Sequence, residues 1–241
     1  MNAPLGARRA GLLEATVQKL FTRSVTVEDI VEIGSAFRLI TLGGAALADV
    51  VWTPGDKLQM QLGGWVQRTY TPIDWDATAG RTRFLAHLHA DGPGTQWARR
   101  LRIGDACVVF GPRKSIALAR TDAPVIVFGD ETSLGLAAAL SRHGAVSVLL
   151  EVASVADTLP ALEHLHLAGA HLSTRAAGGA HLSDMESHLS ALLMQDAGAA
   201  IVLTGQAASI ARMARFLRET GIGAGQRHSK AYWANGKKGL D

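Results

Sequence analysis

The hydrophobic pattern changes its period partway along the chain, and that change constrains the fold more than any single motif. Before the polar stretch Ala119-Arg120-Thr121-Asp122, apolar residues alternate with polar ones in short runs. Phe37-Arg38-Leu39-Ile40-Thr41-Leu42, Lys57-Leu58-Gln59-Met60-Gln61-Leu62 and Arg83-Phe84-Leu85-Ala86-His87-Leu88-His89 each read as half-buried strands. Thr53-Pro54-Gly55-Asp56 and Asp91-Gly92-Pro93-Gly94 are turns, and Thr95 to Leu101 suits a short helix. Many short strands punctuated in this way predict a small antiparallel barrel. After Asp122 the apolar runs become continuous. Val125-Ile126-Val127-Phe128, Val146 to Val152, Ala170 to Thr174 and Ala200-Ile201-Val202-Leu203 read as strands covered on both faces. Helical spacing over Thr132 to Arg142, Asp184 to Gln195 and Ala207 to Glu219 separates them. This is the alternation of a Rossmann-like, mostly parallel sheet.

The chain therefore divides into a barrel over 1–119, with a helical arm at Leu12 to Leu20, and an α/β domain over 124–241 with a C-terminal tail. Its 241 residues, 48% of them hydrophobic, suffice for two cores. A net charge of +3 is too small to imply nucleic acid. No apolar run is long enough to span a bilayer, and no export signal is evident, so the expected location is the cytoplasm. The single cysteine, Cys107, sits in a strand pattern and reads as a packed core residue.

Arg68-Thr69-Tyr70-Thr71 is the most informative segment. Arginine offers a forked cation for a phosphate, and Tyr70 lies on the same face of a strand. The alternative is an ordinary solvent-facing strand. Three more segments bear on the choice. His89 to Ala98 sets a glycine turn before a helix start, a ready anion site. Gly111-Pro112-Arg113-Lys114-Ser115 ends the barrel with two cations. Gly129-Asp130-Glu131-Thr132-Ser133 follows the first parallel strand, where ligands bind in open α/β sheets.

The order of these segments resembles the siderophore-interacting proteins among the ferredoxin-reductase-like flavoenzymes. That family carries Arg-x-Tyr-Thr, His-Gly-x-Gly-Pro-x-x-x-Trp-Ala, Gly-Pro-Arg-Gly, Gly-Asp-Glu-Thr-Ala and a late Tyr-Trp, here Tyr232-Trp233. The resemblance implies that Arg68, Thr69, Tyr70 and Thr71 hold the pyrophosphate and ring of FAD. It places His87, His89, Asp91, Gly92, Gly94, Thr95, Trp97, Gly111, Arg113, Lys114 and Ser115 around the rest of that cofactor. Asp130, Glu131, Thr132, Thr204 and Gly205 should face NADPH or NADH, with Tyr232 and Trp233 near the flavin. Three positions depart from the family: Pro72-Ile73-Asp74 replaces an arginine-bearing stretch, Lys114 a glycine, and Thr204-Gly205-Gln206 an Ala-Gly-Glu. The first two bear on phosphate binding and the third on the nicotinamide cofactor.

The implied activity is NAD(P)H-dependent reduction of ferric siderophores through FAD, releasing Fe(II), with no side chain required as nucleophile. Lys230, Lys237 and Lys238 are candidates for steering an anionic chelate, against a solvated basic tail. Glu131 reads either as an acid or as a capping carboxylate. The nine histidines show no His-Glu-x-x-His spacing, and no bound metal is expected. The expected assembly is a monomer or weak oligomer. The rival functions are a flavin reductase with another acceptor, a non-catalytic ferric-chelate binding module, and a Rossmann-type methyltransferase. The last leaves Arg68 to Thr71 unexplained.

Overall fold

Seven strands make the first half of the fold: β1 (Thr22–Ile33), β2 (Phe37–Gly43), β3 (Lys57–Gln61), β4 (Gln67–Tyr70), β5 (Pro72–Asp76), β6 (Arg81–His87) and β7 (Ala106–Arg113). The computed structural model describes residues 22–64, 66–89, 91–116, 118 and 123–236. The arm at Leu12 to Leu20, the linker Ala119 to Asp122, and Lys237 and Lys238 lie outside the described residues. Every pairing is antiparallel, in the order β4-β3-β7-β1-β2-β6-β5. The two end strands, β4 and β5, are consecutive in the chain and separated by Thr71 alone. A sheet whose first and last strands are joined by one residue has to curl, so Thr71 marks the seam of the barrel.

Alternation along β2 sorts its side chains between two cores. Ile40 and Leu42 point into the barrel with Val27, Leu58, Met60, Phe84 and Val109. Phe37 and Leu39 point the other way, into a cluster that includes Val127, Leu134, Leu136 and Val148 from the second half of the chain. The barrel and the parallel sheet therefore share an apolar core rather than meeting through water.

The short helix α1 (Pro93–Arg100) lies between β6 and β7. The second half alternates: β8 (Val125–Gly129), α2 (Leu134–Ser141), β9 (Val146–Val152), α3 (Val155–His164), β10 (His171–Thr174), α4 (Leu182–Gln195), β11 (Ala200–Gln206), α5 (Ala207–Glu219) and β12 (Arg227–Trp233). All pairings are parallel, in the order β10-β9-β8-β11-β12. Leu134 to Leu140 of α2 are all buried, as expected for a helix apolar on every side. It approaches the barrel seam closely: a Cβ on Gly135 would lie 3.1 Å from the Thr71 carbonyl oxygen. The opposite face of the sheet packs Ile126, Phe128 and Leu149 against Met185 and Leu189 of α4 and Met213 and Leu217 of α5. Among the described residues no helix is long and apolar enough to cross a membrane.

The structure corrects the sequence reading in two places. The expected C-terminal tail is in part an edge strand, β12, carrying Lys230, Tyr232 and Trp233 into the sheet. An unexpected helix, α3, follows β9, capped by Ser154, whose side chain accepts from the Asp157 amide. Pro160 interrupts its helical pattern in the sequence, yet the helix continues through it.

Candidate cofactor site between barrel and sheet

The barrel contributes a cation and a helix end. Arg68 and Tyr70 share one face of β4. The stem of Arg68 lies against the start of α1, where a Cβ on Gly94 would sit 3.2 Å from Arg68 Cγ. Arg68 is half-buried, and its Nη1 donates to the Gln67 carbonyl at 2.7 Å in an exposed hydrogen bond. Gly92 caps α1 with no side-chain acceptor, so the helix's first amides are not satisfied by a cap. An arginine beside an uncapped helix N-terminus is a site for a phosphate. The helix is anchored at both ends. Thr95 Oγ1 donates to the His89 carbonyl at 2.7 Å. The buried Arg38 donates to the carbonyls of Ala98 and Leu101 at the other end.

The Tyr70 ring rests on Phe84 and Trp97, with centroids 4.5 and 6.0 Å away. Burial pushes its phenol well above the ordinary value, keeping it a neutral donor. Thr69 is half-buried beside it. His87 stacks between Phe37 and His89, each with centroids 4.8 Å away. Burial pushes the His87 imidazole down to about 4, against the pull of Glu131, so the ring is neutral at neutral pH. Its Nδ1 is buried without a hydrogen-bond partner.

Gly111 to Ser115 stand farther off, at the end of β7, with β3 between them and β4. Arg113 lies over Phe110 at 4.4 Å and donates to Gln59, which directs its guanidinium along the barrel wall. Lys114 is exposed. Asp91 is exposed too, 3.8 Å from Arg99.

The sheet contributes a buried polar cluster. Its strand order reverses between β8 and β11, and ligands of such sheets bind in the crevice at that switch point. Gly129 to Thr132 and Thr204 to Gln206 occupy those two carboxyl ends. Asp130 is fully buried there. It accepts from the Thr132 amide at 2.9 Å, from the Thr132 hydroxyl, and from Trp233 Nε1 at 2.7 Å. Burial pushes its carboxyl up to about 6, because these hydrogen bonds offset only part of the desolvation. Gly205 has φ +97°, and a Cβ there would lie 2.5 Å from Asp130 Oδ2. Only glycine fits that position without displacing the carboxylate. Thr204 Oγ1 donates to Ser133 Oγ at 2.8 Å.

Glu131 is almost fully buried and holds a bidentate pair with Arg175, both contacts 2.8 Å. It also accepts from the Ala153 amide at 2.6 Å. Burial pushes its carboxyl up, but Arg175 and that amide outweigh the effect and leave it below the ordinary range. The acid role open to Glu131 in the sequence thus gives way to an ionised structural partner. Two polar partners had escaped the sequence reading. One is Arg175, just past β10. The other is Glu151, buried on β9, which meets His181 Nε2 at 2.7 Å and Ser209 Oγ at 2.9 Å. The Ala176 amide donates to His181 Nδ1 at 3.1 Å, so Nε2 carries the proton directed at Glu151. None of these contacts has a local motif; each joins residues at least 22 apart in sequence, apart from the Ala176 bond.

The two sides meet at the seam. Tyr232 is half-buried beside Thr71, and burial pushes its phenol up to about 12 against the lowering effect of Thr71. Lys230, on the same strand, is half-buried in register with Thr204.

A curled antiparallel sheet whose seam abuts the switch point of a parallel sheet defines a ferredoxin-reductase-like flavoprotein fold. Residues 63–116, from the loop before β4 to just past β7, match the family model of the siderophore-interacting FAD-binding domain. The chain is similar to a siderophore utilization protein from T. fusca, with 23% identity, TM-score 0.70, and 91% of this chain and 95% of that one covered. It is similar to the siderophore-interacting protein SipS from Aeromonas hydrophila, with 21% identity, TM-score 0.71, and coverage of 90% and 93%. A ferredoxin reductase of carbazole 1,9a-dioxygenase shares the fold at TM-score 0.72 and 15% identity, covering 88% of this chain and 69% of that one. FAD is the barrel's cofactor, and a nicotinamide dinucleotide is the typical second cofactor of this fold. The residues fit FAD: the Arg68 and α1 cradle suits its pyrophosphate.

Proposed function

We propose that this protein is an NAD(P)H-dependent, FAD-containing reductase of ferric siderophores that releases Fe(II). One observation carries the reading. The close approach of Gly135 on α2, and of Tyr232 on β12, to Thr71 brings the seam of an FAD-binding barrel against the carboxyl ends of a parallel sheet. Bound FAD supplies the conversion between a two-electron hydride donor and a one-electron acceptor. The side chains bind and orient. Arg68 and the amides of α1 hold the pyrophosphate, with Thr95 fixing the helix. Thr69, Tyr70, Thr71, His87, His89 and Trp97 shape the walls around the cofactor, and Gly92 leaves room for it. Asp91, Gly111, Arg113, Lys114 and Ser115 form its outer rim. Asp130, Glu131, Thr132, Thr204 and Gly205 form the nicotinamide wall. Trp233 is held by Asp130 at the edge of the flavin, beside Tyr232. No protein group acts as nucleophile.

The acceptor is an anionic ferric chelate, attracted by Lys230 of β12 together with the sequence-proposed Lys237 and Lys238. Hard oxygen ligands hold Fe(II) far less tightly than Fe(III), so reduction frees the metal. In this reading 1–119 is the FAD domain and 124–241 the NAD(P) domain. The protein acts in the cytoplasm as a monomer or weak oligomer. The match over residues 63–116 favours a siderophore over other acceptors.

The test is anaerobic. Purified protein reconstituted with FAD should bleach on addition of NADPH or NADH. With a ferric siderophore present, Fe(II) should appear in a colorimetric chelator. Bleaching with electron transfer only to quinones or ferredoxins would reassign the acceptor. Failure to take up FAD would end the proposal.

A further inference from the structure

The nine histidines show no metal spacing along the chain, yet the fold brings two of them together with a carboxylate. His171 opens the edge strand β10, and Asp184 and His188 stand one turn apart on the same face of α4. His171 Nε2 lies 2.9 Å from Asp184 Oδ2, and His188 Nδ1 lies 3.6 Å from Asp184 Oδ1. One ligand atom from each of the three residues falls within 4.8 Å of the others. Bonds of about 2.0–2.2 Å to nitrogen and oxygen set neighbouring ligands of a tetrahedral ion about 3.3 Å apart, close to the 2.9 and 3.6 Å from each imidazole to Asp184. The two imidazole rings stack with centroids 3.4 Å apart. Imidazole lone pairs lie in the ring plane, so one ring must turn out of this stack for both to face a single cation. His171 and His188 also line a cavity of about 510 Å³ with His166 and Leu192. That cavity leaves room for water in the remaining coordination positions.

We propose that His171, Asp184 and His188 form a binding site for a divalent transition-metal ion at the outer edge of the parallel sheet. Two imidazoles and one carboxylate suit Zn(II) and its neighbours; the all-oxygen preference of Mg(II) and Ca(II) excludes them. His171 lies at the amino end of β10, while the cofactor crevice is at the carboxyl ends of the strands. The ion therefore sits apart from the electron-transfer site and ties β10 to α4. This inference does not rest on the reductase reading, because its readout is metal binding.

The probe is Zn(II), added to chelator-treated full-length protein and measured by equilibrium dialysis with metal analysis. One tightly held equivalent is expected, with a rise in melting temperature on adding Zn(II). His188→Ala and Asp184→Asn, both at exposed helix positions, should each weaken Zn(II) binding at least tenfold and abolish the thermal shift. His228→Ala, on the far edge strand, should change neither. The site is overturned if the wild-type protein binds no stoichiometric Zn(II). It is equally overturned if both helix variants bind Zn(II) as the wild type does.

Discussion

The two walls of the crevice treat their charges in opposite ways. On the barrel side, Arg68 is half-buried with an exposed guanidinium hydrogen bond, and the start of α1 lacks a side-chain cap. On the sheet side, Asp130, Glu131 and Glu151 are all buried, and each has at least two protein partners. Polar groups left open to solvent are available to a ligand. Polar groups buried and satisfied hold their neighbours in place, and cost much if a partner is lost. Under the proposed function, cofactor affinity comes chiefly from the barrel wall and shape chiefly from the sheet wall.

Removing Arg175 should break this division most severely. Arg175→Ala strands the buried Glu131 carboxylate, and the expected loss is about 3 kcal/mol of stability, read by chemical denaturation. A loss under about 1 kcal/mol would show that water replaces the guanidinium. Gly205→Ala forces a methyl into the space of Asp130 at a φ that disfavours any side chain. About 2 kcal/mol of destabilisation is expected, with a drop in melting temperature. Arg68→Ala should do the reverse of both. Stability should change by less than about 0.5 kcal/mol. FAD affinity, followed by flavin fluorescence, should fall about tenfold or more, as for a charge-assisted hydrogen bond.

The smallest expected effect sets the two walls against each other through pH. His87 titrates at about 4 in the fold against 6.5 unfolded, so the unfolded chain binds more protons in that window. Its contribution to stability rises as pH rises from 4 toward 6.5. Asp130 titrates at about 6 in the fold against 3.8 unfolded, so the folded chain binds more protons there. Its contribution is present at low pH and is lost as pH rises through 6. The two slopes nearly cancel in the wild type. Asp130→Asn should steepen the gain in stability between pH 4 and 6 by up to about 1.4 kcal/mol per pH unit, and His87→Phe should reverse its sign. Unfolding curves across that range that keep the wild-type slope in both variants would remove these groups from the balance.

Strand and helix positions were legible wherever a period ran uninterrupted. β6 and α5 follow their patterns, because alternation and helical spacing are local consequences of which face is buried. α3 escaped because Pro160 disguises a helix that Ser154 caps well. β12 escaped because Arg227 to Trp233 is polar at an edge, and half-buried edge strands lack the continuous apolar run of β8 and β11. In the site, Gly94 and Thr95 were readable because a glycine turn and a helix start adjoin in sequence, whereas only the fold lays Arg68 of β4 against them. Arg175 pairs with Glu131 across 44 residues, and His171 meets Asp184 across 13; no spacing rule announces either.

The alternating and continuous apolar runs alone determined that this chain folds as a barrel followed by a parallel sheet, since burial of one face or two dictates those periods. Tertiary structure alone decided which charges are buried in pairs and which stay open. That outcome depends on how far a carboxylate lies from water and which distant cation the topology carries to it. Desolvation and Coulomb attraction act through space, and the order of residues along the chain does not record those distances.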